Sequence, residues 1–488
     1  MVGHPDCPAL RHFIFRLLPG ATAPGMARPK ALFIARQAVM ADSPFVLGLA
    51  GFGTVGSGLV RILTENREDI LARTGREIRV KSVLVRDMAR KRAVELPEGA
   101  SLTTNVADIV ADPGIDAVVE LIGGTDKAGD IIEAALNAGK NVVTANKALL
   151  AEKGERLFAL AAEKGLHIGY EASVCGGIPI VQTLRESLAG NRLSSLMGIL
   201  NGTSNYILSE MSTRHLSFDA ALKKAQELGY AEADPTLDIE GYDAAHKLAL
   251  LIRLAWGVNY PLEALPVQGV SGVKAEDIAY AREFGYRIKL LGYARLAGES
   301  INKGAGIEAG VCPTLVHDTY LLARVGGAYN AVRVEGNAIG SVFLHGKGAG
   351  DMPTGSAVAA DVLTIARGAR PNNTGFARPH LPLAATVAPA EDAMSHFYIR
   401  LQVSDEPGVL RDVASVMAAN NISIAQVIQK NHTPQDDDET GAAVPSVPLI
   451  VMTHAAPVAG VQKALASLVA SPIVHEPPAL YRVMPKSK

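Results

Sequence analysis

Carboxylates and a lysine crowd one short stretch of the chain, residues 229–247. Its charged members are Glu232, Asp234, Asp238, Asp243 and Lys247. Asp243 and Lys247 are four residues apart, so they share a face of the helix predicted from about Tyr242. The residues after Lys247 are strongly apolar, so we expect this lysine to be partly buried, with its pKa lowered by burial towards a range useful for proton transfer. The carboxylates ahead of it suit an ammonium group. A surface ion pair is the alternative.

A second lysine, Lys147, directly follows residues 141–144, a short apolar segment that predicts a buried strand. A residue at the carboxyl end of a parallel strand points into the ligand crevice of a doubly wound sheet. Lys147 is therefore a candidate for the cofactor or the substrate. An ordinary surface lysine at a helix start is the alternative.

A glycine-rich loop follows the first predicted strand, residues 45–50, and precedes a helix and a second strand, 78–85. Its six residues are Gly51, Phe52, Gly53, Thr54, Val55 and Gly56. In G-x-G-x-x-G the first glycine allows the tight turn and the second lets the backbone approach a pyrophosphate. The third lets helix and strand pack closely. In this strand–helix–strand setting the loop predicts dinucleotide binding.

The end of the second strand bears on which dinucleotide is bound. An acidic residue there favours NAD, whereas an arginine accommodates the 2′-phosphate of NADP. Arg86 and the basic residues at 90–92 favour NADP, and Asp87 keeps NAD open. The basic run could also be the solvated start of a helix.

These residues require a scaffold of alternating strands and helices. Further strands are predicted at 117–122, 141–144 and 166–171, with a helix at 129–138, which makes residues 43–171 an α/β, Rossmann-type, doubly wound parallel sheet. Residues 172–373 are expected to form an α+β substrate and dimerisation domain, and 374–394 a linker. From 395 to 488 the predicted order is βαββαβ, which is ferredoxin-like. Its strands are 397–403, 422–429, 448–453 and 479–483, its helices 408–420 and 458–470, and an acidic insert lies around 436–439. We expect an independent module.

The overall composition narrows the function classes. At 488 residues with a net charge of −2, the chain offers no general attraction to nucleic acid or anionic lipid. No apolar run is long enough to span a membrane. The sparse cysteines, Cys7, Cys175 and Cys312, argue against a disulfide framework. A cytoplasmic protein is expected. Residues 1–42 are basic, resemble a transit peptide only in part, and are interpreted as a disordered extension or a start assigned too far upstream.

Six blocks in this order resemble the signature of bacterial homoserine dehydrogenases. They are GLAGFGTVGSG, TANKALLA, EASVCGGIPI, NGTSNYIL, GYAEADPTLDIEGYDAAHKLALL and GKGAGDMPTGSAVAAD. The resemblance covers about residues 45–368 and the C-terminal module. It implies reversible reduction of L-aspartate 4-semialdehyde to L-homoserine with NAD(P)H, towards threonine, methionine and isoleucine.

The resemblance also implies residue roles. Lys247 would be the proton donor and Lys147 a second active-site lysine. Glu232 would bind the substrate amino group, in a pocket completed by Gly229, Tyr230, Asp238 and Asp243. The cofactor would meet the glycine loop and also Arg86, Thr125, Lys147 and Gly350, and the helix at 353–368 would return to the nucleotide domain. A structural sodium ion would be held, largely by backbone carbonyls, at Glu171, Val174, Gly176 and Ile178. Cys175 stands where the family usually has Gly or Ala; it is either an accessible thiol near the site or simply a small loop residue.

The segment SDEPGVL at 404–410 resembles the ligand-binding turn of ACT domains. That implies an amino-acid effector, threonine by analogy, held at Asp405, Gly408, Val409 and Leu410, and a homodimer or homotetramer. A purely structural dimerisation module is the alternative. Two other functions fit the sequence less well. Aspartate-semialdehyde dehydrogenase needs a cysteine nucleophile, and Cys175 lies in the wrong motif. A catalytically inactive sensor of NADP and amino acids would leave the lysines and carboxylates unexplained.

Overall fold

The computed structural model describes residues 43–377, 383–389, 393–429 and 446–486. The extension at 1–42 and the acidic insert predicted around 436–439 therefore lie outside the described residues. Among the described residues, every helix is too short or too polar to cross a membrane.

The glycine loop opens a six-stranded parallel sheet. Its strands are β1 Phe45–Ala50, β2 Ile78–Leu84, β3 Ser101–Thr103, β4 Ala117–Glu120, β5 Asn141–Thr144 and β6 Ile168–Gly169. Its helices are α1 Thr54–Glu65, α2 Arg67–Thr74, α3 Ala107–Val110, α4 Lys127–Asn137 and α5 Lys147–Lys164. The order β3-β2-β1-β4-β5-β6 is that of dinucleotide-binding sheets. The predicted Rossmann-type fold is confirmed.

Both faces of this sheet are covered by helices, which explains why its strands are mostly apolar. Every residue of β4 is buried, so the strand is an apolar run instead of an alternation of apolar and polar residues. Two details differ from the sequence expectation. The three-residue strand β3 was not predicted, and the last predicted strand, 166–171, is shorter because Glu171–Ser173 turns into a 3-10 helix.

The substrate half is built on a second, mixed sheet. Its strands are β7 Leu193–Ile199, β9 Tyr286–Ala297, β10 Gly306–His317, β11 Tyr329–Gly336 and β12 Gly340–Lys347, with the short strand β8 Val258–Asn259 outside it. Its helices are α6 Ile180–Gln182, α7 Gly202–Arg214, α8 Phe218–Glu227, α9 Thr236–Ile239, α10 Tyr242–Trp256 and α11 Ala275–Glu283. Helix α10 is buried along most of its length because its residues are apolar on nearly all sides. It contacts the nucleotide half, where the Arg253 guanidinium donates to the carbonyl of Leu150 at 3.2 Å.

The helix that follows the substrate sheet, α12 Asp351–Ala366, packs against α1 of the nucleotide half. Two glycines permit this close contact. A side chain on Gly58 would collide with the carbonyl of Asp351, and a Cβ on Gly355 would lie 2.8 Å from the backbone of Gly58. The nucleotide half is therefore completed by a segment nearly 200 residues beyond its last strand.

The C-terminal module shows the predicted βαββαβ order, with one extra two-residue strand. Its elements are β14 Met394–Ser404, α13 Val409–Ala419, β15 Ile424–Gln429, β16 Ser446–Thr453, β17 Ala456–Pro457, α14 Val458–Val469 and β18 Ala479–Met484. Its sheet is continuous with that of the substrate half. Strand β18 pairs in parallel with β10, from Thr314 opposite Arg482 to Val316 opposite Met484. One ten-stranded sheet thus runs through both regions.

A buried carboxylate also joins the C-terminal module to the substrate half. Asp277, on α11, is fully buried and accepts hydrogen bonds from the Tyr398 hydroxyl at 2.8 Å and from Arg400 Nε at 2.7 Å. The Tyr481 hydroxyl donates to it at 3.3 Å. Since a buried carboxylate requires partners of this kind, the module cannot move away from α11 without a large energetic cost.

The segment predicted to be a linker, 374–394, pairs with the substrate half where it is described. Strand β13, Leu383–Ala384, pairs in parallel with β8. The amide of Ile307 donates to the carbonyl of Thr386, and the amide of Ala388 donates to the carbonyl of Ile307. The described part of this segment is therefore an ordered edge of the substrate half.

Candidate active site

The glycine loop has the geometry that its sequence predicts. Gly51 has a φ of +104°, and a Cβ there would lie 2.7 Å from the carbonyl oxygen of Leu121. A side chain on Gly56 would collide with the carbonyl oxygen of Gly51, whereas the space around Gly53 is open. Gly53 immediately precedes α1, and no side chain caps the helix there. The loop therefore leaves free backbone amides at a helix N-terminus, which fits a pyrophosphate.

The residues after β2 form a loop, so the interpretation of this basic run as a helix start is wrong. Asp87 is engaged in that loop, because its Oδ1 accepts the amide of Ala89 at 2.8 Å. The Arg92 guanidinium donates to the carbonyls of Asp87 and Arg90. Arg86 is exposed and makes no hydrogen bond or ion pair with the other described residues. Arg90 and Lys91 are exposed in the same way, but Arg86 is the basic residue nearest the end of β2.

Two lysines share one buried carboxylate. Lys247 Nζ lies 2.6 Å from Asp243 Oδ2, and Lys147 Nζ lies 3.0 Å from Asp243 Oδ1. Lys247 also donates to the carbonyl of Leu200 at 2.8 Å. Asp243 and Lys247 are 6% and 9% exposed, so the interpretation as a surface ion pair is wrong. Lys147 is half-buried at the start of α5.

The charges of this cluster reinforce one another. Burial alone would raise the pKa of the Asp243 carboxyl, but Lys247 and Lys147 more than compensate and hold it well below its usual range. Burial likewise opposes the charge on Lys247, but Asp243 outweighs it, so the pKa of Lys247 is raised. The expectation that burial lowers the pKa of this lysine is wrong, because the i,i+4 carboxylate is buried with it. Lys247 is a protonated donor at neutral pH.

Asn201 completes the cluster and was not singled out by the sequence. Its Nδ2 donates to Asp238 Oδ1 at 2.7 Å and to Asp243 Oδ2 at 2.9 Å. Burial, and then the negative charge of Asp243, raise the pKa of Asp238 above its ordinary value. Asn201 is the N-cap of α7, which its place before a helical segment could have indicated, but contact with carboxylates about 40 residues away has no local signal.

The other predicted substrate residues lie outside this cluster. Gly229, Tyr230 and Glu232 are exposed. The Tyr230 carbonyl accepts from the Thr203 hydroxyl at 2.6 Å, which ties its loop to α7. The Glu232 carboxylate has no partner among the described residues, and Asp234 is occupied with Thr236. The predicted group of carboxylates is thus divided into the buried Asp243 with the partly buried Asp238 beside it, and an exposed loop.

A second buried carboxylate organises the cofactor edge of the sheet. Glu120, at the end of β4, accepts the amides of Ile122 and Gly123 at 2.8 and 3.2 Å and the hydroxyl of Thr144 at 2.7 Å. It therefore holds the loop leading to Thr125 beside the end of β5, which Lys147 follows. Gly350, with a φ of +124°, precedes α12 at the contact with α1.

The loop predicted to hold sodium offers backbone oxygens. Both carboxylate oxygens of Glu171 are occupied, accepting the amides of Val181 and Gln182 at 2.8 Å each. Within the described part of the chain, the buried carbonyls of Val174 and Gly176 accept no hydrogen bond, while that of Ile178 accepts the amide of Ile180. No cluster of three or more His, Cys, Asp or Glu residues there is arranged for a metal. Oxygen ligands of this kind suit a hard cation.

Cys175, in the same loop, is fully buried. Burial raises the pKa of its thiol to about 11. The suggestion of an accessible thiol is therefore wrong, and because the thiolate is the nucleophilic form, Cys175 cannot serve thioester chemistry.

Comparison with known proteins agrees with this geometry. Two family models match, "Homoserine dehydrogenase, NAD binding domain" over residues 51–171 and "Homoserine dehydrogenase" over 179–363. A homoserine dehydrogenase of Neisseria gonorrhoeae is 42% identical over 90% of this chain and 98% of its own. The crystal structure of one from Thiobacillus denitrificans is 43% identical, covers 90% of this chain and 98% of its own, and superposes with a TM-score of 0.82. A hyperthermophilic archaeal homoserine dehydrogenase in complex with NADPH is 25% identical, covers 68% of this chain and 100% of its own, and has a TM-score of 0.55.

Proposed function

The chain belongs to the homoserine dehydrogenase family, and on that premise we propose that it reduces L-aspartate 4-semialdehyde reversibly to L-homoserine with NAD(P)H. One observation carries the proposal. Two lysines on separate elements, α5 and α10, converge on the single buried carboxylate of Asp243. One of them, Lys147, is the first residue of α5 and follows β5 at the ligand edge of the parallel sheet. The glycine loop of that sheet fits a pyrophosphate.

Each residue then has a chemical task. When bound, the nicotinamide cofactor supplies the hydride. Lys247 donates its proton to the aldehyde oxygen as negative charge develops there. Lys147 adds a second positive charge next to that oxygen and stabilises the transition state. Asp238 and Glu232 bind the ammonium group of the substrate and fix its orientation.

Initial rates test the activity directly. The purified chain is assayed with L-homoserine and NADP⁺, and then with NAD⁺, and NAD(P)H formation is followed by absorbance. Turnover with L-homoserine is expected. Tight cofactor binding without turnover would instead favour the inactive sensor.

The preference for NADP over NAD is assigned to Arg86. Its guanidinium is exposed and unpaired, whereas Asp87 and Arg92 are occupied in their own loop. A hydrogen bond between charged groups contributes about 1.5–3 kcal/mol. We therefore expect Arg86→Ala to raise KM for NADP⁺ roughly 10- to 100-fold and to leave KM for NAD⁺ unchanged.

Arg90→Ala is the matched control, since Arg90 is an exposed arginine of the same loop. It should change neither KM. Equal effects of Arg86→Ala on the two cofactors would contradict the assignment.

A structural sodium ion is proposed at the loop from Glu171 to Ile178. The support comes from the buried carbonyls of Val174 and Gly176, which accept no hydrogen bond in the described chain. The Glu171 side chain, already bonded to two amides, would contribute its backbone carbonyl only.

The C-terminal module is proposed to bind an amino-acid effector, L-threonine, within a homodimer or homotetramer. Gly408 has a φ of +104° at the start of α13, and Asp405 and Leu410 beside it are exposed while Val409 is buried. This leaves backbone amides open to a carboxylate. We expect millimolar L-threonine to lower the initial rate and D-threonine to leave it unchanged. No effect of L-threonine on the rate, or on the mass by light scattering, would favour a structural module.

A further inference from the structure

Asn201 lies between two carboxylates, the buried Asp243 and the partly buried Asp238. Its Nδ2 group donates one hydrogen bond to Asp238 and one to Asp243, at 2.7 and 2.9 Å. The side chain is 4% exposed, so water cannot readily replace these bonds. Both protons of the amide are used, one for each carboxylate.

The orientation of this amide is fixed from its other end. Asn201 Oδ1 accepts the amide of Ser204 at 2.8 Å and caps α7, while the Ser204 hydroxyl donates to the carbonyl of Asp238 at 2.7 Å. Turning the amide over would break the cap and direct an oxygen at two carboxylates. The donor edge therefore faces the acids permanently.

The residue before Asn201, Leu200, binds Lys247, which is the cationic partner of Asp243. The carbonyl of Leu200 accepts from Lys247 Nζ at 2.8 Å and from the Asn330 side-chain amide at 3.0 Å. Residues 200 and 201 thus position both the lysine and the carboxylate that it pairs with.

The charges around the pair explain why a neutral donor is useful there. The groups facing Asp238 and Asp243 are Lys247 and His246 on α10, Lys147 on α5, and Cys175 in the loop after β6. Lys247 forms its ion pair with Asp243, and no cationic side chain of the described residues forms an ion pair with Asp238. A cation that binds Asp238 must then come from the substrate.

We propose that Asn201 is a positioning residue that divides the two carboxylates between their tasks, keeping Asp243 on Lys247 and Asp238 available for the substrate ammonium group. The proposal rests on the proposed function for the identity of the substrate. The simpler possibility is that Asn201 only caps α7. Serine and aspartate cap helices about as well as asparagine, so substitutions can separate the two roles.

Three variants make the test. Asn201→Ser keeps a cap and removes both bridging donors, while Asn201→Asp keeps a cap and adds a third negative charge. Ser217→Ala removes the N-cap of α8, which lies outside the site. The Ser217 hydroxyl there accepts the amide of Ala220. That last variant shows what loss of a cap alone does, namely a Tm lower by a few degrees with unchanged kinetics.

For Asn201→Ser we expect a Tm lowered by a few degrees at pH 7, a KM for L-aspartate 4-semialdehyde raised about tenfold, and kcat lowered about tenfold, since each lost bond goes to an ionised group. For Asn201→Asp we expect a larger loss and a shift of the acidic limb of kcat/KM to higher pH by about one unit, because the added charge raises the pKa of Asp238. Wild-type kinetics and an unshifted profile in both variants would overturn the proposal.

A measurement without substrate keeps the inference separate from the proposed function. The Tm of the wild type and of Asn201→Ser is followed from pH 7 to pH 3. If the amide bridges ionised carboxylates, any difference in Tm should shrink as those carboxylates protonate, and an Asn201→Asp variant should gain Tm relative to the wild type over the same range. If the wild type is inactive but shows this acid dependence, the proposed reaction is wrong and the bridging role of Asn201 still holds. If the wild type is active but the Tm difference does not depend on pH, the bridging role of Asn201 is wrong.

Discussion

Replacing Lys247 by methionine should lower kcat for aldehyde reduction by roughly 100-fold or more, which is the range for loss of a general acid. Methionine is close in length and apolar, so it fills the buried position without a charge. The effect is specific because Lys247 is held as a donor by Asp243 at 2.6 Å and by the Leu200 carbonyl at 2.8 Å. Steady-state rates with L-aspartate 4-semialdehyde and NADPH measure it, and the Kd for NADPH should be unchanged.

Methionine at this position leaves Asp243 with Lys147 as its remaining cation, so part of any loss could come from the unpaired acid. The double variant Lys247→Met with Asp243→Asn removes both charges and separates these effects. If the double variant is as slow as the single one, the missing proton donor is responsible. A near-normal kcat in Lys247→Met would remove Lys247 from the proposed mechanism.

Asp243→Asn should be the most damaging single change to both stability and the pH range of activity. It leaves Lys247 buried without its counter-charge, and removal of one partner from a buried pair costs about 3–5 kcal/mol. Burial then becomes the dominant influence on the pKa of Lys247, which falls. In the reductive direction Lys247 must be protonated, so the decline of kcat at high pH should begin at lower pH in the variant.

The stability difference between wild type and Asp243→Asn should itself depend on pH. The pKa of Asp243 is lowered below its ordinary 3.8, so its contribution is present above that pH and is lost as the pH falls further. The pKa of Lys247 is raised above its ordinary 10.5, so that contribution is complete below this pH and is lost as the pH rises through the raised value. Urea unfolding at pH 3 and 7 should therefore give a smaller difference at pH 3, and at pH 10 the difference should also be smaller than at pH 7, because Lys247 in the variant can lose its proton there. An equal difference at pH 3 and 7 would contradict the charge-based account.

The parts of this molecule that were predictable from sequence are the local ones. The glycine loop lies within six residues between a strand and a helix, and Asp243 and Lys247 meet because four residues make about one helical turn. The pKa direction of Lys247 was not predictable, because it depends on how far Asp243 is buried with it. The role of Asn201 depends on the end of β7 meeting α9 and α10, and nothing near Asn201 in the chain encodes that meeting. The same holds for the pairing of β18 with β10, whose residues are far apart in sequence.

That pairing has a consequence for how the protein is made. On the ribosome β10 emerges long before β18, so the edge of β10 at residues 314–316 lacks its neighbouring strand until the chain is nearly complete. Exposed strand edges invite pairing with other chains, and partly folded nascent chains are prone to such aggregation. The nucleotide half meets a similar delay, since α12 is translated long after β6. We therefore expect truncated chains that end before β18 to accumulate in insoluble form, and chaperones to bind this protein most strongly shortly before translation ends.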